Sequence, residues 1–287
     1  MAPRLPQLTT YVLPASASPL ALVIRRGPSK WWHFLLWDRD SGVVTPGSWF
    51  HGLIYPWCCD LSPKGDWMLI LAYRATNTPP AWTALCTPPS VSAQVFWPLE
   101  HPKVGGGFFD DRLQVAWLNL AMSDSEGEVR GRHPWEFGFQ ESDETTFYGG
   151  ADERMNRDGW KSIKPTPGES GVRWRKASPK RNGELIASFA GSAADLQSRP
   201  ERFFEPGALR YSYVPAGPEN VPAPLEGVTW AGFNSRGDVC VVRGTHLVLL
   251  KPGEAGFAEI PVMDLSGLTP RISPSQTPPI PVFPKEP

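Results

Sequence analysis

The segment Gly171-Val-Arg-Trp-Arg-Lys-Ala-Ser-Pro-Lys-Arg181 sets Trp174 among Arg173, Arg175, Lys176, Lys180 and Arg181. An aromatic ring flanked by cations can stack and pair with an anionic partner together, so this stretch is a candidate recognition element. The charge upstream has the opposite sign. Residues 110–158 hold twelve acids and five bases, whereas residues 159–185 hold seven bases and two acids. The candidate binding residues are therefore the basic cluster Trp160, Arg173, Trp174, Arg175 and Lys176, and the acidic cluster Glu141, Asp143 and Glu144. A solvated basic strand next to an acidic excursion that neutralises it is the ordinary alternative.

Other constellations offer weaker chemistry. Cys58, Cys59 and His51 could form a thiol site only if a neighbour lowered a thiol's pKa, and buried structural cysteine is the expectation. The four cysteines, Cys58, Cys59, Cys86 and Cys240, form no C-x-x-C pair and no disulfide ladder. Asp38-Arg39-Asp40-Ser41-Gly42 begins like a calcium loop but has no glutamate at the bidentate position, so it reads as a turn. Gly105-Gly106-Gly107 lacks the strand-to-helix setting of a phosphate cradle and reads as a place of close backbone approach. Acid pairs such as Asp110 with Asp111 sit in polar loops, where solvated charge is the ordinary reading. No Walker loop, G-x-S-x-G elbow or H-E-x-x-H motif occurs. No catalytic residue, cofactor site or metal site is assigned.

The elements that must position these residues are strands. The chain of 287 residues carries 33 prolines and 27 glycines, too many for long helices, since proline inside a helix costs about 3 kcal/mol. Thirteen tryptophans and 14 phenylalanines supply aromatic bulk that suits pleated sheets. Short apolar runs alternate with turns throughout: Trp31 to Trp37, Trp67 to Ala72, Leu113 to Leu120, Leu185 to Phe189, Val239 to Val242 and His246 to Leu250. Two turns share wording. "CDLSPKGDWMLILA" at 59–72 and "AGFNSRGDVCVVRG" at 231–244 each place Gly-Asp before a strand, and "ASPKRNGELIASFAG" at 177–191 is a looser third copy. Gly65, Gly183 and Gly237 are expected to take positive φ there, with the following acids as turn residues.

Units of two to four strands fall at about 19–55, 56–104, 105–165, 170–222 and 223–265, close to the 40–50 residues of a propeller blade. The expectation is an all-β, propeller-like fold of about five short antiparallel units. Residues 1–18 are read as an N-terminal extended segment, 19–265 as one domain with an irregular excursion at about 121–165, and 266–287 as a Pro-rich tail. A short helical turn is expected near Ala151–Arg157.

The Ser62-Pro63-Lys64-Gly65-Asp66 and Asn234-Ser235-Arg236-Gly237-Asp238 turns resemble the inner hairpins of β-propellers of the TolB and WD40-like type. The wider runs "GSWFHGLIYPWCCDLSPKGDWMLILA" and "LEGVTWAGFNSRGD" are similar to a group of bacterial proteins, a resemblance that implies a fold and no activity. Trp-Asp dipeptides at blade ends are missing apart from Trp37-Asp38, which departs from the WD40 pattern.

The formal net charge of −1 does not call for nucleic acid or an anionic membrane. No apolar run approaches a membrane span and the N-terminus does not read as a signal peptide, so a cytoplasmic location is expected. The function expected is a non-catalytic interaction module, an accessory or immunity-type factor for a protein partner. The alternatives are a propeller hydrolase with a glycosidase-like carboxylate pair in its central cleft, or a carbohydrate-binding protein with exposed tryptophans.

Overall fold

The computed structural model describes residues 9–270 except 103, 111–113, 121–126, 130, 140–150, 165–170, 181, 193, 196–201, 204, 206, 218–220 and 254–255. Strands fall into five sheets, as the spacing of turns predicts. Blade 1 runs β1 (Thr9–Pro14), β2 (Leu20–Arg26), β3 (Trp31–Asp38) and β4 (Val44–His51) in spatial order. Blade 2 comprises β5 (Leu53–Ile54), β6 (Asp60–Leu61), β7 (Met68–Tyr73), β8 (Ala81–Cys86) and β9 (Ala93–Leu99). Blade 3 holds β10 (Gly107–Asp110), β11 (Val115–Leu118) and β13 (Glu136–Phe139), while β12 (Glu128–Val129) leaves it to pair with β9 at the edge of blade 2. The helix α1 (Ala151–Arg157) follows. Blade 4 runs β14 (Lys161–Ile163), β15 (Gly171–Ala177), β16 (Gly183–Ser192), β17 (Leu209–Pro215) and β18 (Ala223–Pro224). Blade 5 runs β19 (Val228–Phe233), β20 (Val239–Arg243), β21 (His246–Gly253) and β22 (Gly256–Asp264).

Two features depart from the sequence reading. Thr9–Pro14, inside the segment read as an N-terminal extension, is the first strand of blade 1, with Val12 opposite Val23. In blade 3, β11 pairs with β13 in parallel, because the chain goes out to the edge of blade 2 between them instead of turning back as a hairpin.

The blades stack face to face around an axis. Leu22 and Ile24 of β2 enter the core shared with blade 2, while Ala21 and Val23 on the opposite face enter the core shared with blade 5. Met68 and Ile70 of β7 face blade 1, and Leu69 and Leu71 face blade 3. Val239 and Val241 of β20 face blade 4, and Cys240 and Val242 face blade 1. A strand buried on both faces must be apolar at successive positions, which is why these segments read as continuous runs. Strand β16 is different. Leu185, Ala187 and Phe189 pack on blade 5, but Glu184, Ile186 and Ser188 on its other face are only half-buried. Among the described residues, the apolar cores join blades 4 to 5, 5 to 1, 1 to 2 and 2 to 3.

The repeated turns occupy equivalent places. The first two link β6 to β7 and β19 to β20, the third links β15 to β16, and they meet on one face of the molecule. The Ala17 N–H donates to Pro63 O at 2.8 Å, and Ser18 Oγ donates to Lys64 O at 2.9 Å, joining the turns of blades 1 and 2. Gly65 has φ +80° and Gly237 φ +83°. Asp66 accepts from Ser62 Oγ at 2.7 Å and Asp238 accepts from Asn234 Nδ2 at 3.1 Å, so both acids serve the turn. The third copy is shifted. Ser178 N–H pairs with Gly183 O, as Ser62 N–H pairs with Trp67 O, which puts Gly183 in register with Trp67 and not with Gly65. Its φ is +157°, positive as expected, and a Cβ there would stand 2.5 Å from Val214 O. The two loops have equal length, and in the sequence Arg181 and Asn182 stand where Gly65 and Asp66 stand.

A Cβ at Gly237 would lie 2.8 Å from Ser178 Oγ in the neighbouring blade's turn. Gly237→Ala is therefore expected to cost about 2 kcal/mol, from the left-handed backbone and the contact together. Urea denaturation reads this directly, and an unchanged midpoint would show that the two turns do not abut. The Gly105–Gly107 run is also a close approach, since a Cβ at Gly106 would stand 2.3 Å from Cys58 O.

One core group couples the fold to pH. His33 is buried in blade 1, with its ring stacked on Trp49 at 4.1 Å and 6° and its Nδ1 without a hydrogen-bond partner. Burial first, and then the nearby Arg25 guanidinium, pushes its pKa from 6.5 down to about 4, against a smaller opposing contact with the Gly47 backbone. The unfolded chain binds the extra proton as pH falls from 6.5 to 4, so stability declines through that window. It loses about 3 kcal/mol in full below it. His33→Gln is expected to flatten this dependence in denaturation curves taken from pH 7 to pH 4. An unaltered slope would assign the loss to other groups.

Candidate functional site

The axis is lined by β1, β6, β10 and β19, which touch in the order β19, β1, β6, β10. A cavity of about 540 Å³ opens on the turn face between Ser16, Ser18, Arg39, Asp158, Lys176 and Asn234. Deeper, a smaller space of about 100 Å³ continues past Thr10, Val12, Arg154, Trp160 and Tyr211. Pro14, Asp158 and Lys176 line both, so they stand where the two spaces meet.

The α1 helix plugs the inner end. Its last-turn arginines are held by blade 2: Arg154 Nη2 donates to the carbonyls of Trp57 (2.9 Å) and Cys59 (3.1 Å), and Arg157 Nη1 pairs with Asp60 Oδ2 at 2.5 Å. Asp60 is fully buried and also accepts from Phe109 N–H of blade 3 at 2.9 Å. Arg157 in addition holds Asp158 Oδ1 at 3.2 Å. Burial opposes the Arg157 charge, but the two carboxylates outweigh it and raise its pKa. Arg39 is spent structurally: its guanidinium donates to Pro19 O (2.9 Å), Ser18 O (3.0 Å), Phe233 O (3.1 Å) and Ala15 O (3.5 Å), tying the β1–β2 turn to the end of β19.

Lys176 lines both spaces and, like Arg39, donates to a backbone carbonyl. Its Nζ donates to the Asp158 backbone carbonyl at 2.5 Å and lies 5.9 Å from the centre of the Trp160 ring. Burial is the largest influence on its pKa, bringing it from 10.5 down to about 8. The Asp158 charge partly offsets that and Arg39 adds to it.

Strand alternation divides the residues expected to act together. Trp174 and Lys176 share one face of β15. Trp174 is fully buried in the core between blades 4 and 5 against Phe203, and so is unavailable to a partner. Trp160 is also buried and lines the axis. Arg173 and Arg175 share the opposite face. There Arg175 lies directly across from Lys161 of β14, and Arg173 continues across Ser188 to Arg210 of β17. Lys161, Arg175 and Arg210 are exposed and Arg173 is half-buried. Glu141, Asp143 and Glu144, and with them Asp111 and Arg181, lie outside the described residues. The sequence reading missed Asp60, Arg154 and Arg157. Their one signal is the spacing of Arg154 and Arg157, three apart on a helix and hence on one side.

The remaining candidates have structural uses. All four cysteines are free and buried, and burial pushes the Cys59 and Cys240 thiols up to about 12. His51 is exposed against Trp31, with ring centres 4.8 Å apart. Asp38 Oδ1 accepts from the Asp40 and Ser41 amides, and Asp40 accepts from the Ser235 amide and hydroxyl, binding blade 1 to the blade 5 turn. None of the 13 tryptophans is fully exposed; six are buried and seven, among them Trp31, Trp49 and Trp230, are half-buried. Among the described residues no helix is long and apolar enough to cross a membrane.

No protein-family model matches the chain, and no curated protein does. Among solved structures, it is similar to a Bacteroides fragilis protein provisionally assigned as a 6-phosphogluconolactonase. Identity is 12%, covering 91% of this chain and 68% of that one, with a TM-score of 0.16. So low a score carries no argument, and the propeller-like reading rests on the five sheets and their stacking.

Proposed function

We propose that the protein is a recognition module that holds an acidic segment of a protein partner on the outer face of blade 4. The observation that carries this is the like-charge pair Lys161 and Arg175, directly opposite on adjacent strands, with Arg210 on the same face and, among the described residues, no ion pair to any of the three. Like charges across a strand pair destabilise a sheet, and a bound carboxylate relieves that repulsion. An accessory or immunity-type role is the form this reading takes if the partner is a toxin with an acidic surface loop. No specific observation favours the glycosidase alternative: Asp158, one of the two acids lining the inner axial space with Glu205, is held together with Asp60 by Arg157.

Fluorescence polarisation with a labelled oligoglutamate peptide tests the reading. Binding is expected at low salt, weakening as salt rises. The Arg175→Glu/Arg210→Glu variant should bind about tenfold less tightly or worse, a loss of about 1.4 kcal/mol or more. Equal binding by both proteins, or none by the wild type at low salt, overturns the reading.

A further inference from the structure

The axial cavity is a second candidate site, independent of the blade 4 face. We propose that Lys176 is a reactive amine that captures small hydroxylated aldehydes or ketones as a reversible imine in the cavity on the turn face. Three structural facts converge on it. The side chain stands where the open cavity of about 540 Å³ meets the inner space, so a small carbonyl compound entering from the turn face arrives at Nζ. Among the described residues the amine has one hydrogen-bond acceptor, the Asp158 carbonyl, and its neighbour Trp160 contributes an apolar wall. A neutral amine satisfies that carbonyl with one N–H and keeps its lone pair for attack. The mouth supplies the exposed Ser16 hydroxyl for a hydroxyl on the ligand, while Ser18 Oγ is bonded to Lys64 O and the Asn234 amide to Arg39 O and Asp238.

The charged and titratable groups around Nζ set its protonation. Asp158, at the end of α1, favours the ammonium, but its carboxylate is turned to Arg157. Arg39, from the β3–β4 turn, opposes it, while Cys240 of β20 and Tyr211 of β17 are both held neutral by burial. Desolvation and a neighbouring cation are the two devices that make a lysine nucleophilic near neutral pH. The covalent step balances simply. Nζ adds to the carbonyl carbon, and a proton passes from nitrogen to the carbonyl oxygen to give the carbinolamine. Loss of one water through the mouth then gives the imine.

The test is reductive trapping of the full chain with glycolaldehyde and borohydride, mapped by peptide mass spectrometry. At pH 7.5 Lys176 is expected to be modified at least about tenfold faster than the exposed Lys161 and the turn residue Lys180, since far more of it is neutral. Its rate should climb with a midpoint near 8. Prior unfolding in guanidinium should erase the preference. Lys176→Arg should abolish modification at the cavity and leave other sites unchanged. Uniform labelling of lysines in the folded protein, or slower labelling at Lys176 than at Lys161, overturns the proposal. Because both readouts come from the wild-type chain, they do not depend on a variant's folding, and they are unaffected by whether blade 4 binds acidic peptides.

Discussion

Asp60→Asn lowers the unfolding free energy by about 3 kcal/mol, the lower part of the range for breaking a buried ion pair. The lower part applies because Arg157 keeps 21% side-chain exposure and a second carboxylate, Asp158. Asp60 itself is fully buried, and through it three elements are fastened at one point: β6 that carries it, β10 through Phe109 N–H, and α1 through Arg157. Asparagine retains an acceptor for Phe109 but cannot neutralise the guanidinium. Its amide must also find a place beside Oδ1, which is buried without a hydrogen-bond partner. Urea denaturation should show a lower midpoint at constant m. Adding Arg157→Gln should cost much less in the Asp60→Asn background than in the wild type, since the charge left stranded is then removed. Additive losses would mean that the pair is not coupled.

Arg39→Met is expected to cost about 3 kcal/mol as well. Methionine fills much of the volume, so the loss isolates the four hydrogen bonds to Ala15, Ser18, Pro19 and Phe233 carbonyls. Buried acceptors left unpaired cost about 1–3 kcal/mol each, moderated here because Ser18 and Pro19 are near solvent. These bonds close the ring between the first and last blades. Their loss should therefore speed amide exchange in β1 and β19 before it does so in β7 and β8. Arg39→Lys should recover little, because an ammonium has three donors and cannot span carbonyls on both blades as the planar fork does. Full stability in Arg39→Lys would show that charge alone suffices at this position.

Much of this architecture is legible along the chain because the requirements are local. A strand covered on both sides shows as an uninterrupted apolar run, as in Met68–Tyr73 and Val239–Arg243, and a tight turn shows as Gly-Asp after two polar residues. The one-sided strand β16 shows equally well, since Glu184, Ile186 and Ser188 alternate with Leu185, Ala187 and Phe189. The candidate site was legible only in part. Arg173, Trp174, Arg175 and Lys176 are neighbours in sequence, but the pleat sends Trp174 and Lys176 to one face and the two arginines to the other.

What the sequence by itself determined is therefore the class of fold, the place of the Gly65 and Gly237 turns and the excess of positive charge around β14 and β15, since each depends on neighbours a few residues apart. The tertiary structure alone decided that Asp60 meets Arg157 across 97 residues and that Arg39 reaches Phe233 across 194. It alone brought Lys176 to an open axis beside Trp160. Those contacts arise from the stacking of whole blades, and no local propensity encodes which charged side chain will find itself buried there.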